Sequence, residues 1–367
     1  MTFGSRALIR LGALKDNLTV IRNAAPDARV MAVIKANAYG HGMEAVARTL
    51  DDVDSFAVAR LPEAVRLHES GIDKPLVLLA GVLTRNELDE ALVRGFEIVV
   101  HCMEQVELLE SAPSGAATVW LKFDTGMNRL GFEPDVAGVL IDRVQACPRV
   151  AELRLMSHLA SADELESRVT EEQFARFRAV VQDFDGAVSV ANTPATMGWP
   201  QLAAAQELLG FRGEHWIRPG LALFGISPFV GRTGADLGLT PAMQFEARLI
   251  AIKPLEEGAR VGYRGRYRAQ QDTTLGIIAA GYGDGYTRHF RTGTPVMVNG
   301  RRVPLIGNVS MDMIAVDLGE DAADRVGDIA TLWGEGLPVE EVAPWADAIP
   351  YELVCGVMHR ENSLVVD

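Results

Sequence analysis

Cysteine is scarce in this chain of 367 residues: Cys102, Cys147 and Cys355 stand far apart, odd in number and without a C-x-x-C pair. That excludes a disulfide scaffold and points to a reducing compartment. Positive charge is the minority sign, 35 Lys and Arg against 49 Asp and Glu. The net charge of −14 would repel a phosphate backbone over most of the surface, which excludes a nucleic-acid partner. No run approaches the roughly 18 apolar residues of a membrane-spanning helix. The opening MTFGSRALIRLGAL also lacks the apolar core of a secretion signal, so a cytoplasmic protein with no membrane partner is expected. His101-Cys102 and His41-x-x-Glu44 are the local hints of metal ligation, and neither reaches a usable ligand count, so no metal is expected. Low-complexity tracts are missing as well. With 48% hydrophobic and 23% charged residues the composition is globular, and the length suggests two domains.

What the chain does contain is a repeated pattern. Between residues 30 and 225 the runs VMAVIKA, SFAVA, PLVLLAG, EIVVH, TVWLKFDTG, ELRLMSHLA, AVSVANT and WIRPGLALFG recur. Helical stretches such as PEAVRLHESG, TRNELDEALVRG and the charged segment from Glu164 to Asp183 lie between them. Eight continuous apolar strands alternating with helices predict a closed parallel barrel, because strands buried on both faces lose polar alternation. An open doubly wound sheet is the competitor, but eight units in so short a stretch suit closure better. SPFVGRTGADLG reads as a linker, and the sequence after it is β-rich, with Asn299-Gly300 marking a hairpin. The expected fold is α/β: an N-terminal (β/α)8 TIM-like barrel over residues 11–230, then a mostly-β domain over 231–367. Residues 1–10 could add a strand to that second domain.

In a parallel barrel, reactive groups gather at the C-terminal strand ends. Those ends carry Lys35, the segment Asp124 to Arg129, His158, Asn192-Thr193 and Arg218. Each has an ordinary role open to it: Lys35 as a solvated strand end, Arg129 in a surface pair, His158 in the core, Asn192 in a turn. Together they make a cationic mouth in an acidic protein, suited to a small anion. A phosphorylated aldehyde would use every part of it. A lysine amine forms a Schiff base with a carbonyl, while Asn192, Thr193 and the backbone at Gly220 offer hydrogen bonds to phosphate oxygens.

The motifs IKANAYGHG, KFDTGMNRLGF, SHLASADE, WIRPGLALFG, VGYRGRY, AAGYGDGY and IGNVSMD, in this order, resemble those of the alanine racemase family across residues 5 to 360. The resemblance implies a homodimeric enzyme using pyridoxal 5'-phosphate to interconvert L- and D-alanine. It makes Lys35 the lysine bonded to the cofactor and the base for the D-isomer. Tyr263 of the partner subunit becomes the base for the L-isomer. Tyr39, Asn192, Thr193, Gly220 and Tyr351 would hold the cofactor phosphate, and Arg218, backed by His158, would face the pyridine nitrogen. Arg129 and the backbone N–H at Met311 would bind the substrate carboxylate. Tyr282, Arg288, Asp163 and Asp312 match the entrance and its support. Lys122 matches a position carbamylated in some members.

Two departures stand out: Asn308 where many members have an entrance arginine, and Ser310 where cysteine is common. They open the alternative of a broad-specificity or serine racemase. A decarboxylase of the same architecture is disfavoured, because it would place a carboxylate where WIRPG has Arg218. A non-catalytic cofactor carrier is disfavoured by residues 231–367. Whether the activity serves cell-wall synthesis or alanine breakdown is not written in the sequence.

Overall fold

The computed structural model describes residues 4–357 and 363–366. They divide into two compact units. One comprises Asn17–Ala38 and Met43–Leu223; the other gathers the described residues up to Asp16, Tyr39–Gly42 and those from Phe224 onward.

The chain opens with β1 (Arg6–Arg10), which belongs to the second unit. Eight strands then build the first: β2 (Arg29–Val33), β3 (Ser55–Val58), β4 (Leu76–Leu78), β5 (Glu97–Val100), β6 (Ala117–Lys122), β7 (Val150–Met156), β8 (Val188–Asn192) and β9 (His215–Arg218). They pair in sequence order, all parallel, and β9 returns to β2 through Arg29–Trp216 and Val30–Ile217, closing the barrel. Every residue of β3, β5 and β9 is buried, which is why their runs show no alternation. The intervening helices carry their own stops. Thr84 and Glu87 form a capping box at the start of Arg85–Arg94, and Gly95 ends that helix with φ 71°. The helix Arg168–Val181 buries Thr170, Gln173, Phe174, Phe177, Val180 and Val181 as one stripe.

Arg154 of β7 and Glu97 of β5 bring opposite charges together among the barrel strands. Arg154 sits 5.3 Å from the ring centre of Trp120 and 5.1 Å from that of Trp216. It pairs with the buried carboxylate of Glu97, which also accepts from Trp120 Nε1 at 2.7 Å. A buried carboxylate needs such partners, since burial alone pushes its pKa up.

The second unit is organised on β10 (Met243–Leu255). After it come β11 (Arg260–Val261), β12 (Tyr267–Arg268), β13 (Thr273–Ile278), β14 (Pro295–Val298), β15 (Arg301–Pro304), β16 (Ile314–Asp317), β17 (Ile329–Trp333) and β18 (Ser363–Val366). β10 pairs antiparallel with β1, β13 and β17, and β1 pairs parallel with β18. Asn299 and Gly300 join β14 to β15 with φ of 49° and 76°, both left-handed as such a hairpin requires. Two short helices, Val339–Val342 and Pro350–Gly356, add to the strands. At four and seven residues they are too short to show a helical period in the sequence.

Candidate active site

β2 ends at Val33, and Lys35 opens a turn whose handedness is unusual. Ala36, Asn37, Ala38 and Tyr39 all have φ between 52° and 54°, a left-handed turn built from non-glycine residues. This conformation costs about 1–2 kcal/mol per residue, so the surroundings must over-determine it. Glu63 accepts from the N–H of Ala36 at 2.7 Å, Ile34 O from the N–H of Ala38 at 2.9 Å, and Asn37 Oδ1 from the N–H of Met43 at 3.1 Å. Gly40 follows with φ 82°, and a Cβ there would lie 2.2 Å from Val354 O, so only glycine fits. The Tyr39 ring packs 5.1 Å from Phe224 and 6.0 Å from Tyr351. Burial, with Tyr351 and Cys355 nearby, pushes its phenol well up, so it stays protonated at neutral pH.

Four cations, Arg218, Lys122, Arg129 and Lys35, act on His158 at the barrel strand ends. Arg218, the last residue of β9, donates from Nη1 to Ser189 Oγ and from Nη2 to Ser157 O at 2.6 Å and Val190 O at 3.4 Å. The same Nη2 lies 3.3 Å from His158 Nδ1. Burial lowers Arg218 to about 10, which leaves it cationic at neutral pH. Burial, then Arg218, Lys122, Arg129 and Lys35, hold His158 well below the usual histidine range. Its neutral ring can therefore accept from Arg218 at Nδ1. Lys122, the last residue of β6, is lowered to about 8 by burial and by Arg218 and Arg129, with Asp124 opposing.

Arg129 stands on a loop shaped by Asp124. One oxygen of that carboxylate accepts from Gly126 and Asn128 N–H at 2.9 and 3.0 Å, the other from Arg129 N–H at 2.9 Å. Burial opposes ionisation of Asp124, but these bonds win and hold its carboxyl below the usual range. A Cβ at Gly131 would lie 2.5 Å from Asp124 N, so the loop closes only on glycine. The buried Thr193 hydroxyl accepts from Gly220 N–H at 2.8 Å. Asn192 is tied at both ends, donating to Leu159 O at 3.2 Å and capping Ala195 N–H at 3.2 Å. Asp163 is exposed, past the turn that follows β7.

In the second unit Tyr263 is not on a strand. It lies in the 3₁₀ turn Tyr263–Gly265 and is 76% exposed, so the aromatic is not spent on a β-face. Asn308 Nδ2 donates to Tyr263 O at 3.3 Å. Tyr282 N–H and Gly283 N–H bind Ser310 O and Met311 O at 3.0 and 2.9 Å. Gly281 permits that approach, since a Cβ there would sit 2.3 Å from Ser310 O. Ser310 Oγ donates to Met313 O at 2.7 Å and so shapes the exposed Met311-Asp312 turn. Arg288 is exposed, and Tyr351 is half-buried in the helix Pro350–Gly356.

The sequence reading missed Ser157, Ser189 and Gln173. The two serines support Arg218, and their signal would have been a polar residue inside an otherwise apolar strand run. Gln173 is polar on the apolar stripe of its helix, which is a similar signal. Chemically, the barrel ends offer an amine at Lys35, a neutral imidazole and the buried cations Arg218 and Lys122. That is a binding place for an anion beside a nucleophile.

Comparison with known proteins bears on this arrangement. The family described as "Alanine racemase, N-terminal domain" matches residues 9–228, and "Alanine racemase, C-terminal domain" matches residues 242–365. The chain is 47% identical over 357 residues to the alanine racemase of Shewanella sediminis, covering 97% of each chain. It is 45% identical over 358 residues to that of Vibrio parahaemolyticus, again over 97% of each. Among solved structures, the biosynthetic alanine racemase of Pseudomonas aeruginosa superposes with a TM-score of 0.93 at 38% identity, covering 100% of both chains.

Proposed function

The chain belongs to the alanine racemase family, and we propose that it interconverts L- and D-alanine with pyridoxal 5'-phosphate, using Lys35 and Tyr263 of the partner subunit on opposite faces of the substrate Cα. Arg218 carries this reading. Both its terminal nitrogens are engaged, while Nε makes no hydrogen bond to any described residue. The guanidinium also remains protonated. A pyridine nitrogen fits such a donor, and the surrounding excess of cations fits the phosphate.

Pyridoxal phosphate, when bound, supplies an electron sink that acidifies the Cα–H of an attached amino acid. Because Arg218 keeps its proton, it does not strengthen that sink as an acidic partner would, which suits brief carbanion character over transamination. His158, neutral beside it, holds the guanidinium without competing for charge. Thr193, Gly220, Asn192, Tyr39 and Tyr351 would hold the phosphate. Arg129, oriented through Asp124, and the N–H of Met311 would hold the substrate carboxylate. Inversion needs a proton acceptor on one face and a donor on the other. The Lys35 amine takes or gives the proton on the first face, and the Tyr263 phenol does so on the second. A barrel residue and a C-terminal residue thus share the work, which suits a homodimer with joint sites.

The test is racemisation of a panel of L-amino acids by the purified protein, with its absorbance recorded first. A yellow protein that racemises L-alanine is expected. Lys35→Ala should lose both the colour and racemisation in either direction. An unchanged spectrum in Lys35→Ala would remove that residue from its role. Equal rates with alanine and lysine would make the protein a broad-specificity racemase.

A further inference from the structure

We propose that Gln173 is a positioning residue for racemisation: its carboxamide ties the turn after β7 to the segment after β6, and so holds Ser157 O and the His158 ring against Arg218. The proposal rests on the racemase reading above.

Gln173 lies on the helix Arg168–Val181 and is only 1% exposed, on a stripe that also buries Thr170, Phe174, Phe177, Val180 and Val181. A polar amide there is costly unless satisfied. Each end of it is satisfied. Nε2 donates to His158 O at 3.0 Å and to Thr125 Oγ1 at 3.2 Å, and Oε1 accepts from Ala160 N–H at 2.8 Å. Thr125 Oγ1 lies 2.8 Å from Ser157 Oγ, which links the same two segments again. Three residues along the helix, Arg176 donates to Thr125 O at 3.3 Å. One helix face therefore serves two strand ends.

These partners flank the atoms that orient Arg218. Ser157 O takes Arg218 Nη2 at 2.6 Å, and His158 Nδ1 lies 3.3 Å from the same nitrogen. Gln173 grips the carbonyl of His158 itself and the amide two residues on. Arg129 depends on it less, because the loop from Asp124 to Arg129 is closed by the Asp124 carboxylate. Loss of Gln173 should therefore act through Arg218 on the chemical step, and little on substrate binding.

The test uses Gln173→Glu, which keeps the acceptor for Ala160 and removes the donors to His158 O and Thr125. In the holoenzyme, kcat for L-alanine should fall at least tenfold with KM within twofold of wild type, and the visible absorbance of the bound cofactor should shift. In an Arg218→Lys background the same change should cost less than twofold further. Gln173→Asn, one methylene too short, takes the same measurements if Gln173→Glu does not fold. An unaltered kcat and spectrum, a loss borne by KM, or an undiminished loss in the Arg218→Lys background would each overturn the proposal. If wild-type protein racemises no amino acid, the racemase reading falls; if it racemises and Gln173→Glu matches it, only the role of Gln173 falls.

Discussion

The side-chain amide of Asn308 donates to the backbone carbonyl of Tyr263 at 3.3 Å. One of the two residues that depart from the family resemblance thus steadies the turn that carries the proposed second base. That turn needs support, because Arg264 within it has φ 63°. Tyr263 is exposed and Asn308 half-buried, so the bond contributes no more than a typical one, about 0.5–1.5 kcal/mol.

Asn308→Ala is accordingly expected to lower kcat/KM for L- and D-alanine equally, since the equilibrium constant between them is one, by about 2- to 10-fold. The α-deuterium isotope effect should rise for the isomer whose proton goes to Tyr263. Asn308→Arg should instead raise the preference for alanine over lysine by filling the approach. Kinetics that leave all three quantities at wild-type values would detach Asn308 from the site.

The proposed sharing of sites between two subunits makes a prediction about mixed dimers. Lys35→Ala and Tyr263→Phe are each expected to be inactive, yet a mixture of the two should regain part of the wild-type activity. A hybrid dimer carries both lesions in one site and neither in the other. The measurement is racemisation after subunit exchange followed with differently tagged chains. Exchange without recovered activity would count against one lysine and one tyrosine coming from different protomers.

The Lys122 ammonium predicts a pH dependence of stability. Burial and the neighbouring Arg218 and Arg129 lower it to about 8, and Lys122 is 8% exposed. The ordinary lysine value is about 10.4, so the fold disfavours the charged form by roughly 3 kcal/mol. That cost is present in full below pH 8. Between the two values the unfolded chain binds more protons, so stability rises with pH, and above both the cost is gone. Lys122→Met should therefore melt higher than wild type at pH 7, with the gap closing as pH approaches 10. A gap that does not change with pH would show that Lys122 is not a buried cation.

The barrel was legible because its signals are local. Runs such as PLVLLAG are apolar throughout because the strand is covered on both faces, and Leu76, Val77 and Leu78 are all buried. Asn299-Gly300 announced its hairpin because the turn demands positive φ at both positions. The strand ends carrying Lys35, His158, Asn192 and Arg218 follow directly from the same pattern. The roles proposed for them came from family motifs, not from pattern.

Tertiary structure decided the rest. Of Ala-Asn-Ala-Tyr only Asn37 enters the left-handed region readily, and Glu63, 27 residues away from Ala36, helps hold the turn. Tyr263 sits in a turn and not on a strand because glycines and a left-handed arginine around it break the ladder. Gln173 reads as a misplaced polar residue until barrel closure brings it to Ala160, His158 and Thr125, 13, 15 and 48 positions distant. The lowered Lys122 and neutral His158 likewise need burial and cations brought together from the ends of β2, β6 and β9. Pattern along the chain determines which residues are buried and which way strands run. Proton affinities and hydrogen-bond partners are set by neighbours in space, and those exist only once the barrel has closed.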